Sequence, residues 1–244
     1  MAVMTTRVAS AEHVADNVIQ LRLVKPEGFT WKTGEFARVG LKIEGDEVFR
    51  AYSIGSAPAS ETVDFYIANV TGGILSPKLN QIKTGDSVLI DTEVGGMLLA
   101  DRLEAGGKDL WMFASGTGVS PFLAVLSDES ITSRFERLIL VHGVRTWNET
   151  GYVSRLVKRS PKLTVVACVT REKGAAVNER IPDALADGSL EKLAGIIIEK
   201  EHSRVMLCGN PGMVKSVREA MKARGIVSPR GGKPGQLLAE NFWL

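Results

Sequence analysis

From Val18 to Val94 apolar and polar residues mostly alternate. Ile19, Leu21 and Leu23 share one side of an extended chain, as do Val63, Phe65 and Ile67, and then Val88 and Ile90. A repeat of two is that of strands with one buried face. Turn sequences interrupt it at Pro26-Glu27-Gly28, Thr33-Gly34, Glu44-Gly45-Asp46, Thr71-Gly72-Gly73 and Thr84-Gly85-Asp86, which leaves little space for helices. The pattern predicts a compact antiparallel barrel or sandwich. Its most helix-like piece is Ser76 to Ile82, with Ser76 as N-cap and Pro77 in the first helical position.

After Gly95-Gly96 short apolar runs alternate with helical patterns. Leu110 to Ala114, Leu138 to Val141, Leu163 to Val169 and Val205 to Cys208 read as buried strands. Between them lie helices opened by Ser120-Pro121, centred on Tyr152, Val153, Leu156 and Val157, opened by Ser189, and running from Pro211 to Arg224 before Gly225. Such a series implies a doubly wound parallel sheet with helices on both faces. The chain therefore divides into an all-β antiparallel barrel domain over residues 1–98 and an α/β domain over residues 99–244.

Composition narrows the classes. With 244 residues, 44% hydrophobic and 24% charged, the chain reads as soluble and globular, and no apolar run approaches the roughly 18 residues that cross a bilayer. No secretory signal opens it, so a cytoplasmic protein without a membrane partner is expected. The net charge of +2 does not argue for nucleic acid. Residues 1 to 100 carry 9 basic and 12 acidic side chains, whereas residues 101 to 244 carry 21 and 16, a second half suited to a phosphorylated or acidic partner. Cys168 and Cys208 lack C-x-x-C spacing, so no metal or iron–sulfur site is expected, and each ends an apolar run as a buried thiol does.

Two stretches carry chemistry in the first half. Arg50-Ala51-Tyr52-Ser53 puts a cation, an aromatic face and a hydroxyl within four residues, with Arg50 and Tyr52 on one side of an extended segment and Ser53 on the other. Gly73-Ile74-Leu75-Ser76 is a glycine turn whose backbone N–H groups are placed to hold an anion. Together they suit a diphosphate-bearing ligand with a flat ring. In the second half Gly116-Thr117-Gly118-Val119-Ser120-Pro121 follows the first strand and opens the first helix, where a doubly wound sheet binds a diphosphate; a glycine turn there also serves packing. The next strand ends Val144-Arg145 without the carboxylate that would bind a ribose 2′-hydroxyl, the third ends Thr170-Arg171, and Arg180 follows. Arginines after neighbouring strands converge on one sheet edge, where a 2′-phosphate accepts bidentate bonds, so NADP is favoured over NAD.

Taken in order, these motifs, with Cys208-Gly209-Asn210-Pro211 and the aromatic tail Phe242-Trp243, resemble the bacterial-type ferredoxin/flavodoxin–NADP reductases of the ferredoxin–NADP reductase superfamily. The resemblance covers essentially the whole chain. It implies FAD held by Arg50, Ala51, Tyr52, Ser53, Tyr66, Ile67, Ala68 and the Gly73 to Ser76 turn, and NADP(H) held by Gly116, Thr117, Gly118, Val144, Arg145, Thr170, Arg171 and Arg180. It also implies that Ser53, Tyr52 and Cys208 meet the reacting rings, with Gly209 leaving space for the nicotinamide. Phe242 is expected on the flavin face opposite Tyr52 and Trp243 against the adenine; Leu244 departs from tails that end in the aromatic itself. The implied activity is hydride transfer between NADPH and FAD and single-electron transfer to ferredoxin or flavodoxin, by a monomer. A free flavin or ferric reductase, an electron-transfer subunit of a larger dehydrogenase, and a non-catalytic dinucleotide-binding module stay open as alternatives.

Overall fold

The computed structural model describes residues 3–154 and 160–242. Its first half is one antiparallel sheet of β1 (Val3–Ala15), β2 (Val18–Val24), β3 (Phe36–Ile43), β4 (Asp46–Ser53), β5 (Thr62–Ala68) and β6 (Ser87–Asp91), in the order β4-β3-β6-β1-β2-β5. The sheet curls toward a barrel because the outer strands meet: just beyond β4, the Gly55 N–H donates to the Asp64 carbonyl of β5 at 2.8 Å. The alternating residues behave as their period requires. Leu21, Leu23, Val63, Phe65 and Ile67 point inward and are fully buried with Phe29, Val39 and Ile90, each such side chain contributing about 1.5–3 kcal/mol.

The helix α1 (Ser76–Leu79) is a single turn, shorter than the predicted run to Ile82, and Leu75 is its N-cap. Ser76 lies inside it. Its hydroxyl accepts instead from the Val70 N–H at 3.0 Å, so it closes the glycine turn from behind.

The second half is a parallel sheet of β7 (Asp109–Ser115), β8 (Arg137–Val144), β9 (Leu163–Val169), β10 (Ser203–Gly209) and β11 (Leu237–Asn241), ordered β11-β10-β7-β8-β9. Even positions such as Leu110, Met112, Leu138 and Leu140 pack under α2 (Ser120–Ser127), α3 (Glu129–Thr132) and α4 (Gly151–Ser154). Odd positions such as Trp111, Phe113, Ile139 and Val141 pack under α5 (Ile181–Ala186), α6 (Ser189–Ala194) and α7 (Pro211–Ala223). Both faces are thus covered, as strands apolar on both sides demand. The predicted helix around Tyr152 begins as α4; Leu156 and Val157 lie outside the described residues. Among the described helices none is long and apolar enough to cross a membrane.

Two features of this second half were not foreseen. β11 is only five residues, and its burial comes from β10 and α7 beside it. Arg204 is a charged residue only 3% exposed, whose guanidinium donates to the carbonyls of Glu104 at 2.6 Å, Ala105 at 2.7 Å and Ser203 at 2.9 Å. It ties down the segment that enters the parallel sheet, whose carbonyls have no ladder of their own to join.

The two sheets are joined by a stack of Tyr66 on Tyr152, with ring centroids 5.3 Å apart and planes at 18°. Polar contacts also cross between the halves. The Thr33 hydroxyl donates to Asp128 at 2.5 Å, the Asp16 N–H to the Asn148 side-chain oxygen at 2.7 Å, and the Met97 N–H to Glu240 at 2.9 Å.

Candidate functional site

At the carboxyl edge of the parallel sheet lies a groove of about 1230 Å³. Its walls come from the ends of β7, β8 and β9, the start of α5 and of α7, Phe242, and the 17–18 and 68–71 segments of the antiparallel sheet. It is therefore walled by both halves, with β strands delivering backbone turns at its rim.

The arginines are brought together by main-chain pairing that continues past the strand ends. Thr170 N–H donates to the Val144 carbonyl at 3.1 Å, its hydroxyl donates to the same oxygen, and Arg171 N–H donates to the Arg145 carbonyl at 2.9 Å. Arg145 and Arg171 thus stand side by side, and Arg180, N-cap residue of α5, completes the wall. None of the three forms an ion pair with any described residue. Three exposed guanidiniums without a described ion-pair partner give this rim of the groove a positive potential that suits an anion. Asn178 holds the loop between them by donating to the carbonyls of Val169 and Glu172.

The glycine turn begins with Gly116 at φ +54° and runs as a 3₁₀ turn over Gly116–Val119 into α2, with Val119 rather than Ser120 as the N-cap. Gly118 lies against the end of β10: a Cβ there would sit 2.8 Å from both the Cys208 carbonyl carbon and the Gly209 Cα. Gly209, at φ +134°, would in turn drive a Cβ to 2.8 Å from the Ser115 carbonyl oxygen. The tips of β7 and β10 are in backbone contact, fastened by Asn210 N–H donating to the Ser115 hydroxyl at 2.8 Å. Cys208 lies beneath this joint, fully buried, and burial pushes its thiol well above the usual range, so it remains protonated. Phe242 donates its N–H to the Gly209 carbonyl at 2.8 Å and packs its ring on the cluster that includes Tyr66; Trp243 and Leu244 lie outside the described residues.

The groove does not take in the Arg50 to Ser53 strand or the Gly73 to Ser76 turn. Ala68 is its nearest predicted neighbour on that side, as part of the wall. On β4, Arg50 and Ala51 are exposed, Tyr52 is half-buried and Ser53 is buried. Burial pushes the Tyr52 phenol up to about 12, opposed by the charge of Arg50, so the two side chains do share a face. Ser53 makes no side-chain hydrogen bond to a described residue. In the glycine turn the Gly73 N–H is already taken by the Val70 carbonyl at 2.9 Å, contrary to a turn with all amides free. The amides of Ile74, Leu75 and Ser76 precede the first helical bond of α1, as orphan donors do. Ile67 and Leu75 turn their side chains into the barrel core, which leaves only their backbones for a ligand, and Ile74 is exposed. Asn17, Val18, Val70, Thr71 and Tyr152 line the groove without having been singled out, because an isolated polar residue or a lone aromatic carries no periodic signal.

His142 is buried beside the groove. Its Nε2 lies 2.9 Å from the Gly116 carbonyl, and its edge meets the Tyr152 ring at 6.2 Å and 69°. Burial lowers its pKa to about 4, the bond to Gly116 opposing. Because that value lies below the ordinary 6.5 or so of an unfolded chain, the unfolded state takes up the proton first as pH falls. Stability present above about pH 6.5 is thus expected to drain away down to about pH 4, by about 3 kcal/mol in total. Melting temperatures of the natural chain and His142→Gln across this range check it: the gap between them should change with pH in that window and be flat above it.

Residues 5–97 match the family model described as an oxidoreductase FAD-binding domain, and residues 112–219 that of an oxidoreductase NAD-binding domain. The ferredoxin–NADP reductase of Pseudomonas aeruginosa is 33% identical over 253 residues, spanning 98% of this chain and 97% of that one. The flavodoxin/ferredoxin–NADP reductase of Escherichia coli is 34% identical over 246 residues, with 98% of each covered. This chain belongs to the ferredoxin–NADP reductase family. A crystal structure of the Neisseria gonorrhoeae member with bound FAD and NADP superposes at a TM-score of 0.93, with 30% identity and 99% of both chains covered. The fold of a ferredoxin–NADP reductase is thus present from end to end: the FAD-binding match falls on the antiparallel sheet and the NAD-binding match on β7 through most of α7.

The residues present fit both dinucleotides. The amides of Ile74 to Ser76 and the Ser53 hydroxyl, which have no partner among the described residues, and the Tyr52 face suit a flavin nucleotide. The glycine joint at Gly118 and Gly209 and the three arginines, without an ion-pair partner among the described residues, suit NADP.

Proposed function

We propose that this chain is a ferredoxin/flavodoxin–NADP reductase that binds FAD on the antiparallel sheet and NADP(H) in the groove, with the division near residues 98 and 99. The observation that carries the reading is the pairing of Val144-Arg145 with Thr170-Arg171 beyond the strand ends, which sets unpaired guanidiniums side by side at the rim of a groove shared by both halves. FAD, when bound, takes a hydride from a nicotinamide and gives up electrons one at a time. The chain's contribution is to hold and orient.

Arg145, Arg171 and Arg180 take the 2′-phosphate through charge-assisted bonds, with Val144 and Thr170 fixing the rim. Gly116, Thr117 and Gly118 bring backbone to the diphosphate of NADP. Arg50, with the Ile74 to Ser76 amides, takes that of FAD, and Ala51, Tyr66, Ile67 and Ala68 present the adjoining strand. Tyr52, neutral because its phenol titrates only near 12, offers a flat face to the flavin, and the Ser53 hydroxyl bonds a ring nitrogen. Cys208, kept a thiol, positions the nicotinamide and attacks nothing, while Gly209 leaves it space and Phe242 covers the flavin face opposite Tyr52. The basic second half attracts an acidic ferredoxin or flavodoxin to a cytoplasmic monomer.

Anaerobic stopped-flow mixing is the test. NADPH should bleach the visible flavin absorbance of the purified chain, NADH far more slowly, and reduced flavin should reoxidise faster with ferredoxin or flavodoxin than with either absent. A colourless protein, or equal bleaching by both nucleotides, contradicts the reading.

A further inference from the structure

His142 is the one described residue with a buried side-chain polar atom that has no partner, its Nδ1. A carbonyl only accepts, so the 2.9 Å contact from Nε2 to Gly116 fixes the tautomer: Nε2 carries the hydrogen and Nδ1 is a bare lone pair inside the protein. An unpaired buried acceptor works against folding, and an aliphatic side chain would fill this core position without that penalty. The imidazole is therefore kept for its bond to Gly116.

That bond acts on the groove through one peptide unit. In a trans peptide the C=O and the following N–H point in opposite directions. No peptide bond of the described residues is cis, so drawing the Gly116 oxygen inward to His142 turns the Thr117 N–H away from it. Gly116 and Thr117 both line the groove, and Thr117 N–H is among the first donors of its turn, with no intrahelical acceptor. Gly116, at φ +54°, has no side chain to hold this orientation, and no described atom lies within 4 Å of where its Cβ would be.

We propose that His142 is a positioning residue for dinucleotide binding, its Nε2–H clamping the Gly116 carbonyl so that the Thr117 N–H faces the diphosphate. This rests on the functional reading above, and binding measurements separate the two. Calorimetry on the FAD-loaded chain would use two probes: NADP⁺, which carries a diphosphate, and adenosine 2′-phosphate, which has none. Gln places its side-chain N–H near the position of Nε2, whereas Asn is too short and Leu has no donor.

His142→Asn and His142→Leu should weaken NADP⁺ by roughly tenfold, the worth of one such hydrogen bond, leave adenosine 2′-phosphate within about twofold, and His142→Gln should restore NADP⁺. Equal weakening of both probes, unchanged NADP⁺ affinity, or a Gln variant as weak as Asn overturns the proposal. Thr117→Pro, which deletes the N–H while leaving His142 intact, should weaken NADP⁺ alone by a similar factor. Its failure to do so overturns the proposal even where a His142 variant does not fold. A natural chain that binds neither probe would instead sink the functional reading itself.

Discussion

Replacing Arg145 and Arg171 together by alanine should cut the preference for NADPH over NADH by about a hundredfold or more. A hydrogen bond to a charged group is worth about 1.5–3 kcal/mol, and each factor of ten in affinity about 1.4. The two guanidiniums have no other described partner to satisfy, so their loss is not offset by freeing a carboxylate. Because their backbones are paired, their contributions will not be additive, and the double variant should lose less than the product of the single ones. The change should appear in KM for NADPH, with kcat and all NADH constants nearly unmoved. A parallel fall with both nucleotides would show that the pair shapes the groove and does not read the 2′-phosphate.

Gly118→Ala should have the larger effect on the fold. The new methyl group would press on the carbonyl carbon of Cys208 and the Cα of Gly209, both 2.8 Å away, and backbone cannot swing aside as a side-chain tip can. The β7 and β10 tips must part, which also strains the Asn210 to Ser115 bond. Overpacking of this kind costs about 3 kcal/mol, or on the order of 10 °C in melting temperature for a domain of this size. NADPH turnover should collapse while bound FAD, held by the other sheet, survives. Gly151→Ala is the control: the one described atom within 4 Å of its added Cβ is the Val14 carbonyl oxygen, at 4.0 Å, and the change should be within about 0.5 kcal/mol. Equal melting temperatures for the two variants would contradict the close approach of the strand tips.

Much of this site was legible because its determinants are local. The change from period two to alternating runs after Gly95-Gly96 announced the two sheets, and Gly116 to Pro121 sits after a strand and before a helix as such turns must. Arg145 and Arg171 could be placed at one rim of the groove because strand ends in a parallel sheet fall on one edge. Most of the misses have their cause in long-range packing. β1 alternates only in part, since its residues serve two neighbours in turn, β6 and then β2, so no clean period survives. Leu237–Asn241 is too short to show a period, and it becomes a strand only because β10 offers it a ladder. The hydroxyl of Ser76 was taken for a cap, yet Val70, six residues earlier, claims it. Tyr66 and Tyr152 come from different halves, and their stack has no trace in either segment alone.

The contacts that hold the halves at their working angle differ in how they are encoded. Asp16 and Met97 lend only main-chain amides to Asn148 and Glu240, and almost any residue carries such a donor. On the barrel side those two positions are free to change residue without losing either bond. For these two bonds the burden of inheritance falls on the asparagine and the glutamate across the gap, whereas the Thr33 hydroxyl and the Tyr66 ring must be inherited on the barrel side as well.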